Sequence, residues 1–244
     1  MKLVSIQKKG SDTLYTLLLR LSAPLQSWGS GSMYDSRETD YMPTKSGVLG
    51  MLAAALGRKR DEPLEDLQKL KFGVRVDLPG TKLNDYQITH MGEKFNTNVS
   101  NRAYLSDAMF LVGLADEDKV FLEELIGALK NPGFSIFLGR RSCPPTQPLV
   151  LGIRENDLYQ ALYDEDWLVP DWRRKSLFRF SETLHLRIVM DHEQEGAVKK
   201  DVPLSFSPFR REYGYRYMKE MRGKIMYKEQ VDTLTEHDPM LELR

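Results

Sequence analysis

Apolar positions along the chain fall into two periods, two and about three and a half, and these divide it into strands and helices. Leu17, Leu19 and Leu21 recur every second residue within 13–21, the period of a strand with one face buried. Residues 45–56 follow a different rule. After Ser46 no polar side chain appears on any side, so this helix is expected to be buried all round, with Thr44 as its cap and Gly57 as its stop. Gly47, Gly50 and Ala54 leave one side nearly flat, open to the close approach of another backbone. A short helix over 63–70 opens with proline and two acids, as the helix dipole favours.

Phe72, Val74 and Val76 alternate in a second strand, 72–77, and the largely apolar run 105–114 reads as a third strand inside a sheet. Between them, 84–104 is polar and weakly patterned, the mark of a protruding hairpin. Asp116 caps a helix to Lys130, with Val120, Phe121, Leu125 and Leu129 at helical spacing, and Asn131-Pro132-Gly133 breaks it. A fourth strand is expected over 134–138. The order strand, helix, strand, strand, helix, strand predicts an α+β fold, a ferredoxin-like (RRM-like) palm with an antiparallel four-stranded sheet and two helices on one face. The domain reading is therefore 1–146 for the palm, with a thumb excursion at about 84–104, and 147–244 for a small β-rich C-terminal part. There 152–154 and 184–190 read as strands and 158–171 as an acidic helix or linker.

Composition narrows the function. The 244 residues carry 35 basic and 35 acidic side chains, so no broad positive field is available to coat nucleic acid. The neutrality is segregated: from Glu155 to Asp171 every charge is negative, whereas from Phe209 to Lys228 basic residues predominate among Tyr213, Tyr215, Tyr217 and Tyr227. That second stretch fits either a nucleic-acid backbone or an amphipathic segment with its tyrosines packed inward. No apolar run reaches membrane-spanning length, so no membrane contact is expected. The single cysteine, Cys143, and the polar start of the chain suit a reducing cytoplasm. The four histidines are scattered, and neither a metal site nor a cofactor is expected.

Three segments carry candidate chemistry. The loop 22–42, with Ser27 and Trp28, is too long for a passive connection; Trp28 is either its anchor or a stacking platform. It feeds the start of the buried helix, where Thr44, Lys45 and Ser46 offer hydroxyls, a cation and free N–H groups to a phosphate. Arg140 and Arg141 follow Gly139, and paired guanidinium forks behind a glycine suit close phosphate contact. No lysine follows the glycines of 29–31, and no dinucleotide fingerprint is present, so ATP and NAD readings fail. A nuclease reading would recruit His90, with Tyr86 and Lys94, for metal-free acid–base cleavage of RNA; the plain alternative is a histidine on a polar hairpin.

Four segments stand in order along the chain: Leu19-Arg20-Leu21-Ser22-Ala23-Pro24-Leu25-Gln26-Ser27-Trp28-Gly29, Pro43-Thr44-Lys45-Ser46-Gly47-Val48-Leu49-Gly50, Phe72-Gly73-Val74-Arg75-Val76-Asp77 and Phe137-Leu138-Gly139-Arg140-Arg141-Ser142-Cys143-Pro144-Pro145. Together they resemble the CasD family, a subunit of the type I-E CRISPR effector Cascade. The resemblance implies a non-catalytic RNA-binding protein that caps the 5′ handle of the crRNA. It also implies contacts with the backbone and large subunits of the complex, and with target DNA only indirectly. Carried over, the handle contacts are Ser27, Trp28, Thr44, Lys45, Ser46, Arg140 and Arg141, with Tyr86 and Arg102 flanking the thumb. Related proteins of another CRISPR subtype suggest the alternative, a metal-independent endoribonuclease that processes the crRNA precursor.

Overall fold

The structure is a computed structural model that describes residues 14–29, 36–91, 96–179 and 181–228. In chain order it contains β1 (Tyr15–Ser22), β2 (Leu25–Gln26), β3 (Ser36–Arg37), α1 (Lys45–Ala55), α2 (Glu65–Gln68), β4 (Lys71–Leu78), β5 (Thr81–Met91) and β6 (Asn96–Ser106). There follow β7 (Met109–Asp116), α3 (Lys119–Lys130), β8 (Val150–Arg154), α4 (Leu158–Asp164), α5 (Asp171–Leu177), β9 (Thr183–His192), β10 (Ala197–Phe206) and β11 (Arg211–Tyr227). Seven strands join in one sheet in the order β10-β11-β9-β4-β7-β1-β8, and each neighbour pair is antiparallel.

The alternation in β1 assigns its residues to two cores. Leu17, Leu19 and Leu21 point to the side of α1 and α3, while Leu18 points to the side of α4. As its sequence requires, α1 is buried along most of its length, capped by Thr44, whose hydroxyl accepts the Gly47 N–H at 3.2 Å. Gly57, at φ +75°, ends it in the left-handed region open to glycine. The flat side of α1 receives rings rather than a backbone. A Cβ on Gly47 would lie 2.9 Å from the Trp28 indole, and one on Gly50 would lie 3.3 Å from the Phe206 ring. Phe206 belongs to β10, so the sheet curls until its far edge covers α1. The result is a mixed α/β protein dominated by a curled antiparallel sheet.

The expected hairpin is present and longer than its polar stretch. β5 and β6 pair from Thr81–Ser106 to Met91–Asn96, and β6 also pairs with β2 and, in parallel, with β3. The long first loop is thereby stitched to the base of this thumb. Three expectations change. The apolar run 105–114 is split at the Asp107 turn (φ 55°), its first residues ending β6 and the rest forming β7. Residues 134–138 form no strand, because the Gly133 and Phe134 N–H groups donate to the Ala55 and Ala54 carbonyls at the end of α1. The place beside β1 goes instead to β8, Val150–Arg154. Finally, Asp118 rather than Asp116 caps α3, which leaves Val120 72% exposed and puts Leu122, Leu125 and Leu129 in the core.

On the opposite face of the sheet, Arg75 is fully buried and spends all its donors. Two go to Asp77, at 2.7 and 2.9 Å, and the others reach the carbonyls of Leu162, Glu165 and Asp166. Burial pushes the Asp77 carboxyl up, against the pull of Arg75. The cluster fixes the acidic stretch after α4 to the sheet.

Candidate nucleic-acid interface

At the C-terminal end of β1 the structure brings three segments together. The Ser27 N–H donates to the Leu138 carbonyl at 3.1 Å, and its hydroxyl donates to the Ala103 carbonyl on β6 at 3.2 Å. Gly139 is essential to this approach. At φ +88° it lies so close that a Cβ would sit 1.5 Å from the Ser27 carbonyl oxygen. Trp28 is 1% exposed, its indole N–H held by Gln26 at 3.1 Å and its backbone N–H by the Thr39 hydroxyl at 2.8 Å. It is an anchor, and a base-stacking role for it is corrected by its burial.

The turn after Gly139 points Arg140 across the base of the thumb. Its guanidinium lies 4.4 Å from the centre of the Tyr104 ring, and Nη2 donates to the Arg37 carbonyl at 2.9 Å. Nη1 is buried with no partner among the described residues. Along β6, Ser100, Arg102 and Tyr104 alternate and so share one face, and the Ser100 hydroxyl and Arg102 Nε are buried without partners too. A buried donor left unpaired costs about 1–3 kcal/mol. Three of them around Arg140 and Arg102 form a site whose hydrogen bonds are unfinished, and an anion would complete it. Arg141, next in the turn, is exposed and makes no hydrogen bond or ion pair with any described residue.

Lys45 does not join this group. Its ammonium pairs with Asp191 at 2.8 Å and its backbone N–H donates to Asp201 at 3.0 Å. Arg216 bridges the two carboxylates, at 2.6 Å to Asp191 and at 2.6 and 2.9 Å to Asp201. Burial works against the Arg216 charge, but the carboxylates more than offset it and its pKa is raised. The free cation and free N–H groups expected at this helix start are thus corrected: the anion held there is Asp201 of β10. Thr44 and Ser46 are buried beside it, with the Thr44 hydroxyl spent on the cap and Ser46 3.4 Å from Thr44. Sequence reasoning missed Asp191, Asp201 and Arg216, and the only signal was their unassigned charge in β-rich sequence.

The hairpin register separates the remaining candidates. Tyr86 stands opposite Asn101, and Arg102 opposite Asp85, so Tyr86 and Arg102 project from opposite faces of the thumb. Tyr86 is 63% exposed. His90 pairs with Thr97 near the hairpin tip, and Lys94 lies outside the described residues. Cys143 is buried, and burial pushes its thiol pKa up, which works against a reactive thiolate. Among the described residues no group of three or more His, Cys, Asp or Glu could hold a metal ion, and no helix is long and apolar enough to cross a membrane.

Comparison with known proteins places this geometry. Residues 16–219 match the family described as CRISPR-associated protein (Cas_Cas5). The chain is 37% identical to the CRISPR system Cascade subunit CasD of Escherichia coli (strain K12), with 56% of this chain and 70% of that protein covered. Among solved structures, a chain of a CRISPR RNA-guided surveillance complex superposes with a TM-score of 0.70 at 31% identity, covering 85% of this chain and 90% of that one. A crystal structure of a Cas protein superposes with a TM-score of 0.65 at 39% identity, covering 88% and 97%. With the family match running from β1 into β11, the chain belongs to the CRISPR-associated protein (Cas_Cas5) family.

Proposed function

We propose that this protein is a non-catalytic, cytoplasmic RNA-binding subunit of a Cascade-type CRISPR effector complex. In this reading it holds the repeat-derived 5′ handle of the crRNA at the base of its thumb. It meets the backbone and large subunits through its remaining surface and touches target DNA only indirectly. The strands β8-β1-β7-β4 serve as a ferredoxin-like palm, since they run fourth, first, third, second among the palm strands and α1 and α3 share one core beside them. The observation that carries the reading is the set of unpaired donors on Ser100, Arg102 and Arg140 beside exposed Arg141. An RNA phosphate supplies the acceptor that each of them lacks. Identity to the Escherichia coli Cascade subunit supports the same role.

The test is crRNA loading in the reconstituted complex. Arg102→Ala with Arg141→Ala removes two cations without touching the contact of Arg140 with Arg37, and Arg140→Lys keeps the charge but not the fork. Each lost phosphate contact lowers the salt dependence of single-strand binding by about 0.7 in log–log slope. We expect the double variant to lose crRNA from the complex while retaining the circular dichroism of the parent. Full crRNA loading by a folded double variant would overturn the proposal.

A further inference from the structure

α5 lies on the sheet face opposite α1 and is pinned there. Arg174 donates to the Val169 and Trp167 carbonyls at 2.7 and 2.9 Å and pairs with Asp171 at 2.8 Å. Phe178, just past the helix, is buried edge-on against Trp167, with ring centres 6.1 Å apart. From this fixed helix Trp172 projects outward, 77% exposed, while the chain's other two indoles, Trp28 and Trp167, are 1% and 5% exposed. Lys175 lies one helical turn along on the same side. It is exposed and forms no ion pair with any described residue. Among the described residues the Arg173 side chain reaches only Asp107, at 3.8 Å, in the turn that joins the thumb to β7.

A further cation faces the same way. Arg20 alternates with Leu19 and Leu21, so it projects with Leu18 toward the α4–α5 side, and its Nε is buried without a partner among the described residues. Its strand neighbour Ser22 pairs with Met109, which packs in the core beneath α5. The thumb base is therefore flanked twice: by Arg102 and Arg140 toward α1, and by Arg20, Trp172, Arg173 and Lys175 toward α5.

We propose that the α5 surface is a second contact for single-stranded nucleic acid, where one base stacks on Trp172 and Arg173 and Lys175 hold the flanking phosphates. The chemistry favours a nucleic acid over a protein. Tryptophan hot spots of protein interfaces sit in cores depleted of lysine and acidic residues, whereas this indole has Asp171 and Lys175 as near neighbours on the helix. An aromatic face beside cations is the arrangement that binds single strands regardless of sequence. This surface does not depend on the handle site, because different residues on the other side of the thumb form it.

The test uses the intrinsic fluorescence of the full-length chain titrated with a short oligouridylate at low salt. Because the other indoles are buried, quenching reports stacking at Trp172. Saturable quenching is expected, weakened roughly tenfold in the Arg173→Ala, Lys175→Ala double variant, and the anisotropy of a dye-labelled oligouridylate should show Trp172→Leu, which lacks the reporting indole, binding roughly tenfold more weakly than the parent. The salt slope of that double variant should fall by about 1.4, two contacts at 0.7 each. Arg141→Ala should leave the quenching intact, which keeps failure of the handle site distinct from failure of this one. Absence of saturable quenching overturns the proposal. So does a Trp172→Leu chain that binds oligouridylate like the parent but no longer enters the complex, since the surface is then a protein contact.

Discussion

Asp201→Asn changes one atom type and one charge in a side chain that is 2% exposed. Asp201 accepts three donors: the Lys45 N–H at 3.0 Å, Arg216 Nε at 2.6 Å and Arg216 Nη2 at 2.9 Å. An asparagine can accept at one oxygen only, so at least one of these donors would face an NH2 group instead. The four-charge cluster of Lys45, Arg216, Asp191 and Asp201 would also pass from neutral to a net single positive charge, with the Lys45 and Arg216 side chains 7% and 9% exposed. Breaking a buried pair from one side costs about 3–5 kcal/mol. At about 2–4 °C per kcal/mol for a domain of this size, the melting temperature should fall by roughly 6–20 °C. Arg216→Met should cost a similar amount, leaving an excess negative charge. Together the two substitutions restore neutrality, with Lys45 and Asp191 still paired. Their combined cost should therefore fall short of the sum by about 2 kcal/mol or more. Urea unfolding followed by tryptophan fluorescence measures all three variants. Additive costs, or an Asp201→Asn chain within about 1 kcal/mol of the parent, would show that the clasp contributes little. crRNA loading per folded molecule should be unchanged in Asp201→Asn, because in the parent this helix start holds the protein's own carboxylate and so takes no part in the handle site.

Gly139→Ala should destabilise by about 2 kcal/mol or more, since φ +88° and the Ser27 carbonyl both exclude a Cβ. Gly127→Ala in α3, with nothing within 4 Å, should instead stabilise by about 0.5–1 kcal/mol in the same thermal melts; the same sign for both would refute the packing argument. Asp66→Asn tests a pH effect. Hydrogen bonding to Arg58 holds the Asp66 carboxyl below its ordinary value of 3.8, so its contribution is present above that value and lost as pH falls through the lowered one. Because the pair is partly exposed, the loss at neutral pH should stay under about 1 kcal/mol and close in acid; a gap that persists in urea melts at low pH contradicts the assignment. Repeat RNA incubated with the purified chain in EDTA should stay intact. Specific cleavage that disappears in His90→Ala would replace the binding role with an enzymatic one.

How far the sequence could be read depended on whether a feature was local. α1 was legible because no polar side chain follows Ser46, and that alone demands burial on every side. Its cap and its stop were legible for the same reason. The 134–138 segment misled because a strand and a half-exposed loop can share an apolar pattern, and the difference lies in which carbonyls the N–H groups at its start meet: Gly133 reaches Ala55 and Phe134 reaches Ala54. Lys45 misled more seriously. A cation at a helix start advertises an anion, but the sequence does not say whether that anion is a ligand or a carboxylate 156 residues away. The grouping of Ser27, Arg140 and the thumb was foreshadowed by glycine and arginine in the right loops. The opposition of Tyr86 and Arg102 was not, because it depends on hairpin register, and a shift of one residue would reverse it.

The distance between Lys45 and Asp201 also bears on how the protein is made. A ribosome adds roughly 5–20 residues per second, so the leading helix emerges roughly 8–30 s before the carboxylate that closes its start. Through that interval Lys45 must stay hydrated, and α1 cannot settle fully against its own sheet. Arg216, which locks the same corner, comes later still. The nascent chain thus leaves the Gly50 side of its most apolar helix uncovered until β10 has been translated, and a transcript truncated before β10 would yield a product in which that side stays open although β1 and α3 still pack on the helix.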